Sequence, residues 1–249
     1  MTTLPKLPDS IPVTANADGS PLPAESNVGR YRPRRKQGIL TPSTVEDVQA
    51  VVRGFSGSAL SLHAISTGRN WGLGSKEAAA NDAARIELSG MREIRAINLD
   101  HGWAVIEPGV TQLDLAGKLA GTSRMLNVTA SSGHTSVIGN TLDRGVGLYG
   151  PRINDLLGVE AVLPDGELVK IGWWPREDGT ATALNIHGLG TSLLGLFSQS
   201  NLAVITGAVM RLHPRPEPGP RSASGYPNPP SRAQWTPYGA SRSTESTEE

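Results

Sequence analysis

The spacing of apolar residues predicts alternating helices and strands between residues 38 and 216. Residues 43–46 (STVE) predict a capping box. In this motif the Ser43 hydroxyl accepts a hydrogen bond from the Glu46 backbone N–H, and the Glu46 side chain accepts one from the Ser43 backbone N–H. Val45 in this box and Val48, Val51 and Val52 after it form one apolar helix face, and Gly54 is the predicted end of the helix. Residues 111–114 (TQLD) predict the start of a second helix, which we expect to run to about Leu119.

Short apolar runs predict strands over residues 62–65, 85–88, 103–107, 159–163, 167–171 and 204–212. The turn sequence Pro164-Asp165-Gly166 separates the fourth and fifth runs, so these two predict a β-hairpin. The strands outnumber the helices, and the two kinds of element are mixed along the chain. This order predicts a domain that combines sheets with a few helices.

Both ends of the chain differ from this central part. Residues 1–37 are polar and proline-rich, so we expect an extended lead-in. Residues 217–249 contain no aliphatic residue larger than alanine, and we expect this tail to be disordered. The lead-in ends in a basic run, which is either a solvated arm or an arm that covers a bound nucleotide; its members are Arg30, Arg32, Arg34, Arg35 and Lys36.

Composition removes several classes of function. Basic and acidic residues are equal in number, so no net charge points to a nucleic acid or an anionic membrane as partner. The absence of cysteine excludes disulfides, thiolate metal sites and a cysteinyl-linked cofactor. The five histidines show no metal-ligand spacing, so no metal site is expected. No signal peptide or membrane-spanning apolar stretch is present, and we therefore expect a cytoplasmic protein.

Two glycine-bearing segments are candidates for ligand binding. Residues 66–74 (STGRNWGLG) follow a predicted strand, and their backbone N–H groups could hold a pyrophosphate, although an ordinary glycine-rich loop has the same composition. Residues 129–141 (TASSGHTSVIGNT) are rich in small hydroxylated residues and nearly free of charge. This second segment is either a wall for a polar ligand or a surface loop, and His134 within it is either a ligand contact or a hydrogen-bonded loop histidine.

A third glycine segment, residues 145–150 (GVGLYG), matches the G-x-G-x-x-G pattern of dinucleotide-binding proteins. That pattern has its physical meaning only between a hydrophobic strand and a helix. Here polar residues precede it and Pro151 follows it. We therefore reject a Rossmann site.

Taken in order, these segments resemble the FAD-binding domain of the vanillyl-alcohol oxidase and p-cresol methylhydroxylase superfamily. Their amino-acid sequences are most similar to the 4-alkylphenol-oxidising branch of that superfamily. The resemblance covers about residues 38–216. It is carried by residues 65–74 (ISTGRNWGLG), 105–110 (VIEPGV), 136–147 (SVIGNTLDRGVG), 158–172 (GVEAVLPDGELVKIG) and 195–206 (GLFSQSNLAVIT).

The resemblance implies an α+β fold in which two α/β subdomains enclose FAD. The first glycine loop would hold the pyrophosphate, and the second segment would surround the ribityl chain and the flavin edge. Residues 201–205 would reach FAD mainly through backbone groups. The cofactor-binding residues that the resemblance implies are Ser66, Thr67, Gly68, Arg69, Asn70, Gly72, Pro108, Val110, Ser132, Gly133, His134, Ser136, Gly139, Asn140, Asn201, Val204 and Ile205.

The resemblance also implies what is missing. Members of the family carry a second half, the cap domain, which shapes the substrate site, and here the tail begins where that half would start. Arg69 stands where some relatives carry a histidine linked to FAD, so noncovalent FAD is expected. The implied activity is hydride transfer from an organic substrate, such as an aromatic alcohol or a 4-alkylphenol, to the flavin.

No catalytic acid, base or nucleophile is assigned within the chain. The alternative is a noncatalytic FAD-binding module that needs a partner subunit for the substrate site. In either case we expect a cap-domain partner subunit or a homo-oligomer to cover the exposed apolar face.

Overall fold

The structure, a computed structural model, describes residues 4–25, 32–69, 76–176 and 191–216. The predicted disordered tail, and the candidate residues Asn70 and Gly72, lie outside these ranges. Within them, no helix has the length and apolar character that crossing a membrane requires, and no cluster of three potential metal ligands occurs.

Thirteen strands and three α-helices make up the described fold. The helices are α1 (Val45–Phe55), α2 (Gln112–Lys118) and α3 (Val137–Leu142). The strands are β1 (Val13–Thr14), β2 (Lys36–Leu40), β3 (Ser61–Ile65), β4 (Ala83–Glu87), β5 (Ile94–Asn98), β6 (Trp103–Ile106), β7 (Arg124–Met125), β8 (Val146–Gly147), β9 (Gly150–Pro151), β10 (Leu156–Val162), β11 (Leu168–Gly172), β12 (Val204–Arg211) and β13 (His213–Pro214).

The first sheet has the strand order β1-β2-β4-β3. Strands β2, β4 and β3 are parallel, and β1 pairs antiparallel with β2. Helix α1 packs its apolar face, including Val48, Val51 and Phe55, into the same core as Leu40 and Ile86 of the sheet. Parallel strands need such a covering helix, because their apolar residues point to both faces.

The second sheet has the strand order β11-β10-β12-β6-β5, and every neighbouring pair is antiparallel. Every residue of β10 is buried, as suits an interior strand that pairs on both sides. A second core joins one face of the sheet to helices α2 and α3 through residues such as Ile106, Leu115 and Ile138. Each sheet with its helices forms one α/β subdomain, as predicted for an α+β fold with two such subdomains.

The described part of the predicted lead-in belongs to the first sheet. Strand β1 pairs with Ile39 and Leu40, and strand β2 begins at Lys36, inside the predicted lead-in. Ile11 is buried in the core of the first sheet. The basic residues nearby form ion pairs, since Arg35 binds Asp82 at 2.6 Å. The division of the chain into a lead-in of residues 1–37 and a following domain stays a prediction.

The predicted capping box of α1 is wrong by one position. Thr44 is the N-cap and accepts a hydrogen bond from the Asp47 backbone N–H, so Ser43 and Glu46 do not form the box. Asp47 instead reaches back to the Ser43 backbone N–H at 3.2 Å. The helix also continues past the predicted stop at Gly54 to Phe55, because burying the Phe55 side chain in the core favours an added residue.

Other predicted elements are confirmed. Helix α2 starts at the N-cap Thr111 with a complete capping box to Asp114. Strands β10 and β11 form the predicted hairpin, and Gly166 of its turn has a φ of +83°, which glycine adopts at low cost. The rejected G-x-G-x-x-G segment follows helix α3 and forms the small hairpin β8–β9, so it has neither the strand nor the helix of a Rossmann site.

Some strands differ from the prediction. The predicted strand at residues 85–88 runs instead over Ala83–Glu87, because Ala83 and Ala84 are buried and pair with β2 and β3. Strands β2 and β5 were not predicted from the pattern. All five residues of β5 are half-buried, so apolar and polar residues do not alternate in their exposure there.

Candidate functional site

A cleft of about 800 Å³ opens between the loops that follow the first sheet and the second sheet with its helices. Its size lies within the range of about 300–1,000 Å³ that is usual for ligand sites. Four stretches form most of its wall: residues 63–69, Pro108, residues 129–143 in part, and residues 197–205 in part. Glu77, Leu88 and Val146 complete the lining. The apolar part of the wall consists of Ile65, Leu88, Pro108, Ile138, Leu142, Val146, Phe197, Ala203 and Ile205.

The loop after β3 contributes Ser66, Thr67, Gly68 and Arg69 to the cleft. Gly68 has a φ of +62°, a left-handed conformation that lets the chain turn sharply after the strand. In the described part of the chain, the backbone N–H groups of Thr67, Gly68 and Arg69 donate no hydrogen bond. Three successive free donors in one turn suit an anionic group such as a phosphate.

The second segment contacts this loop directly. The Thr135 hydroxyl donates to the Arg69 carbonyl at 3.3 Å, and the Ser136 N–H donates to the Thr67 hydroxyl at 3.3 Å. The Ser136 hydroxyl donates to the Pro108 carbonyl at 2.6 Å and accepts from the Gly139 N–H at 2.9 Å, which caps α3. Ser136 therefore joins three stretches of the cleft wall.

Gln112, at the start of α2, holds the hydroxyl-rich loop in place. Its Oε1 accepts from the Thr129 N–H at 3.0 Å and from the Thr129 hydroxyl at 3.2 Å. Its Nε2 donates to the Ser131 hydroxyl at 3.1 Å and to the Ser132 carbonyl at 3.2 Å. Gln112 is 4% exposed, so all its hydrogen-bonding capacity is used inside the protein. Thr129 and Ser131 line the cleft.

Two carboxyl groups and a histidine line the cleft in the described ranges. Asp143 is exposed to solvent, but neighbouring protein atoms partly desolvate its carboxyl and raise the pKa of that group. The side chain forms no hydrogen bond with any described residue. Glu77 accepts a hydrogen bond from the Arg34 N–H at 3.0 Å. Burial lowers the pKa of His63, and the positive charge of Arg85 lowers it further.

The structure brings many of the sequence-predicted residues together at this cleft. Those that line it are Ser66, Thr67, Gly68, Arg69, Pro108, Ser136, Gly139, Asn140 and Ile205. Their role in binding a cofactor stays a prediction.

Other predicted residues lie away from the cleft wall. Val110 is fully buried, and its carbonyl accepts from the Val137 N–H at 2.9 Å. Val204 belongs to the core of the first sheet. Ser132, Gly133, His134 and Asn201 are exposed and are not part of the lining. The Ser132 hydroxyl accepts from the His134 N–H at 3.2 Å, so it shapes the loop.

Sequence reasoning missed Gln112, Asp143 and His63. Gln112 stands directly after the Thr111 cap, where the pattern indicated only the start of a helix. Asp143 lies within residues 136–147, which carry the family resemblance. The signal that could have identified it is a carboxylate next to an otherwise uncharged segment. His63 gave no signal, because its position in strand β3 fits the alternation of an ordinary strand.

The residues of the cleft fit FAD. Free backbone donors after β3 suit a diphosphate, hydroxyls from the second segment suit a ribityl chain, and the apolar wall suits ring systems. No feature of the described lining, such as a run of carboxylates, opposes an anionic cofactor.

Comparisons with known proteins point to the same ligand. The sequence model of the FAD_binding_4 family, described as an FAD binding domain, matches residues 36–172. A 1'-carboxy-chondrochloren decarboxylase from Chondromyces crocatus is 39% identical over 188 residues, which are 73% of this chain and 34% of the relative. The flavoprotein subunit of 4-cresol dehydrogenase (hydroxylating) from Pseudomonas putida is 32% identical over 181 residues, 71% of this chain and 35% of the relative.

Solved structures share the fold. A 4-ethylphenol oxidase from Gulosibacter chungangensis, in complex with isoeugenol, superposes with a TM-score of 0.67 and 32% identity, over 77% of this chain and 37% of that one. A p-cresol methylhydroxylase with substrate bound superposes with a TM-score of 0.67 and 30% identity, over 74% of this chain and 37% of that one. The fold is therefore the p-cresol methylhydroxylase type of FAD-binding fold.

This chain spans about a third of the length of these relatives. The family match itself covers more than half of the chain and includes strands β2 to β11, the first glycine loop and the second segment. The chain thus belongs to the FAD_binding_4 family of FAD binding domains.

Proposed function

We propose that this chain is the FAD-binding portion of a flavin-dependent oxidoreductase and that FAD lies in the cleft. The observation that carries the proposal is the group of free backbone donors at Thr67, Gly68 and Arg69, which faces an apolar and hydroxyl-lined cleft. When bound, FAD would supply the hydride-accepting chemistry, and the protein would bind, orient and shield it.

Each part of the cleft suits a different part of the cofactor. The donors after β3 suit the diphosphate. The hydroxyls of Thr129, Ser131 and Thr135 suit the ribityl chain, because each can donate or accept a hydrogen bond. The cofactor-binding roles of the remaining predicted residues belong to the same proposal.

We propose that FAD binds noncovalently. Arg69 is not expected to form a covalent link to a flavin, because an arginine guanidinium is a hydrogen-bond donor without an acceptor lone pair. The chain has no cysteine. Among the histidines described, His63 lies in the cleft wall on strand β3 and His134 is exposed outside the lining.

Asp143 is the side chain of the cleft wall best suited to exchange a proton with a bound ligand. Its raised pKa means that the carboxyl holds its proton at a higher pH than an ordinary aspartate does. Groups with such shifts are common among acids and bases at functional sites. We propose Asp143 as the acid–base group of the site.

The proposed substrates are phenolic or benzylic compounds. The support comes from relatives whose names refer to 4-cresol and 4-ethylphenol. We also propose that a partner subunit or a second copy of the chain helps to form the substrate site, since the Pseudomonas putida relative is named a flavoprotein subunit. Measuring the mass of the purified protein in solution by light scattering tests the partner proposal, and a monodisperse monomer that turns over substrate would contradict it.

The proposed activity is tested on the protein loaded with FAD. We expect the bound flavin to give a visible absorption band and to remain in solution after the protein is precipitated with acid, as noncovalent binding requires. Anaerobic addition of 4-ethylphenol should bleach that band, with 4-ethylphenyl methyl ether as a control that lacks the free hydroxyl. Flavin that stays with the precipitate would contradict noncovalent binding. Unchanged absorption with a panel of phenols and aromatic alcohols, once the partner subunit or the second copy of the chain is present, would contradict the activity.

A further inference from the structure

A fully buried arginine lies directly behind the cleft wall. Arg152 begins the 3-10 turn Arg152–Asp155 and is 0% exposed. Its Nη1 donates to Asn140 Oδ1 at 3.1 Å, whereas its Nε and Nη2 have no hydrogen-bond partner. Asn140 belongs to helix α3 and lines the cleft.

The charge of Arg152 lacks a hydrogen-bonded counterion. Asp155 lies nearby and its charge favours the protonated guanidinium, but the carboxylate is hydrogen-bonded elsewhere. Its two oxygens bind His213 Nε2 at 2.7 Å and Asn127 Nδ2 at 2.7 Å. Burial lowers the pKa of Arg152 to about 10, so the guanidinium is still charged at neutral pH. An incompletely paired buried charge is costly.

The contact with Arg152 decides which way the Asn140 amide faces. A guanidinium can only donate, so the carbonyl oxygen of the amide must point to Arg152 and its NH2 group must point away. Among the described residues, Asn140 Nδ2 forms no hydrogen bond. The amide also packs closely against Gly145, where a Cβ would lie 2.0 Å from Oδ1.

We propose that Arg152 is a positioning residue for FAD: it holds the Asn140 amide with Nδ2 as a donor toward the cleft, and its buried charge makes this part of the wall favour an electron-rich atom of the cofactor. The inference rests on the proposed function. The acceptor for Asn140 Nδ2 would be an oxygen of FAD, in a carbonyl, hydroxyl or phosphate group, or a ring nitrogen of FAD.

The substitution Asn140→Asp separates this role from a purely structural one. The new carboxylate gives Arg152 a counterion of the same size, so the midpoint of thermal unfolding without FAD should stay the same or rise. The donor is lost and the positive charge is neutralised, so the dissociation constant for FAD should increase about tenfold or more. A structural role alone would leave FAD binding unchanged, because the contact with Arg152 is kept.

Two further sets of variants complete the experiment. Arg152→Lys keeps the charge and should bind FAD more tightly than Arg152→Met does. Asn98→Asp is the matched control for the amide, because Asn98 accepts a hydrogen bond from the His101 N–H in a turn outside the cleft lining. Arg95→Met is the control for loss of an arginine inside the fold, because Arg95 is half-buried and pairs with Glu107 and Glu160 in the second sheet. Both controls should retain the FAD affinity of the native chain when folded.

The outcomes separate this inference from the proposed function. Titration of the full-length native chain with FAD comes first, and failure to bind would end both. If the native chain binds FAD but Asn140→Asp binds it equally well, the positioning role is wrong while the proposed function stands. Equal affinities of Arg152→Lys and Arg152→Met would likewise overturn the role of the charge.

Discussion

At the scale of single residues, the cleft depends on close contacts that only particular side chains allow. Gly139 in helix α3 is one example, because a Cβ at this position would lie 2.4 Å from the Ser66 hydroxyl oxygen. A side chain at Gly139 would require the Ser66 hydroxyl to leave its present position between the helix and the first glycine loop. The same contact brings Ser66 and Ser136 to one wall of the cleft.

Substituting Gly139 by alanine should weaken FAD binding. The added methyl group would turn the Ser66 hydroxyl away and move the loop whose backbone donors hold the diphosphate. We expect the dissociation constant for FAD to rise about tenfold, as loss of one or two hydrogen bonds would produce. Gly195→Ala is the control, since a Cβ there would meet no atom within 4 Å. Equal weakening by both substitutions would contradict the role of the close approach.

Replacing Asp143 by asparagine should stabilise the ligand-free protein at neutral pH. Folding raises the pKa of this carboxyl, so the folded state binds the proton more tightly than the unfolded state does. The stability of the native chain is therefore reduced as the pH rises from the ordinary aspartate value through the folded value. Asparagine cannot ionise, so Asp143→Asn should raise the unfolding midpoint at pH 7 and change it little at pH 3. Loss of stability at pH 7, measured by circular dichroism, would contradict the burial of this group.

At the scale of elements, the ends of the helices connect the fold to the site. Helix α2 begins with Thr111 and Asp114 in a capping box, and Gln112 projects from its first turn to the hydroxyl-rich loop. The backbone N–H groups of Gln112 and Leu113 donate to the carbonyls of Thr135 and Gly133. The start of this helix therefore positions one side of the cleft.

Removing the Asp114 carboxylate should destabilise α2 in a pH-dependent way. The Arg92 guanidinium and the Thr111 hydroxyl and N–H hold the pKa of Asp114 at about 2. A pKa that folding lowers adds stability that is complete above the unfolded value and is lost as the pH falls toward 2. Asp114→Asn should cost about 1 kcal/mol of unfolding free energy at pH 7 and much less at pH 2. Urea unfolding at both pH values measures this, with the exposed Asp9→Asn as control; an equal cost at both would contradict the assignment.

Replacing Gln112 by leucine should affect both stability and FAD binding. The change leaves the Thr129 N–H without a partner and removes one hydrogen bond each from the Thr129 hydroxyl, the Ser131 hydroxyl and the Ser132 carbonyl. Unpaired buried groups cost about 1–3 kcal/mol, and the freed loop should bind FAD less tightly. Gln49→Leu is the matched control, because Gln49 makes one hydrogen bond, to Gly166, away from the cleft. If both variants bind FAD equally well, the loop does not depend on Gln112.

Elements with local signals could be predicted from the sequence, and elements defined by distant contacts could not. The hairpin β10–β11 and the cap of α2 carry their signals within a few residues, and both are confirmed. The cap of α1 is displaced because Asp47 also binds Ser10, a residue 37 positions away. Strand β5 is held by pairing with β6 and by the bond of Arg95 to Glu160, which no local pattern contains.

At the scale of the whole molecule, two sheets with their own cores meet at a cleft whose wall comes from distant parts of the sequence. The family resemblance identified the glycine loop, the second segment and Ile205 in advance, and these line the cleft. It could not identify Arg152 or Gln112, because their importance arises from contacts behind the wall. Motifs therefore predicted which stretches meet, and the buried polar contacts that orient them required the structure.

The central claim is that the cleft binds FAD. It is tested most directly by titrating the purified full-length chain with FAD and following the change in flavin fluorescence. We predict saturable uptake of one FAD per chain, weakened by Gly139→Ala and retained in Gly195→Ala. A folded chain that shows no saturable uptake of FAD would contradict the account. FAD binding that is as tight in Gly139→Ala as in Gly195→Ala and the native chain would also contradict it.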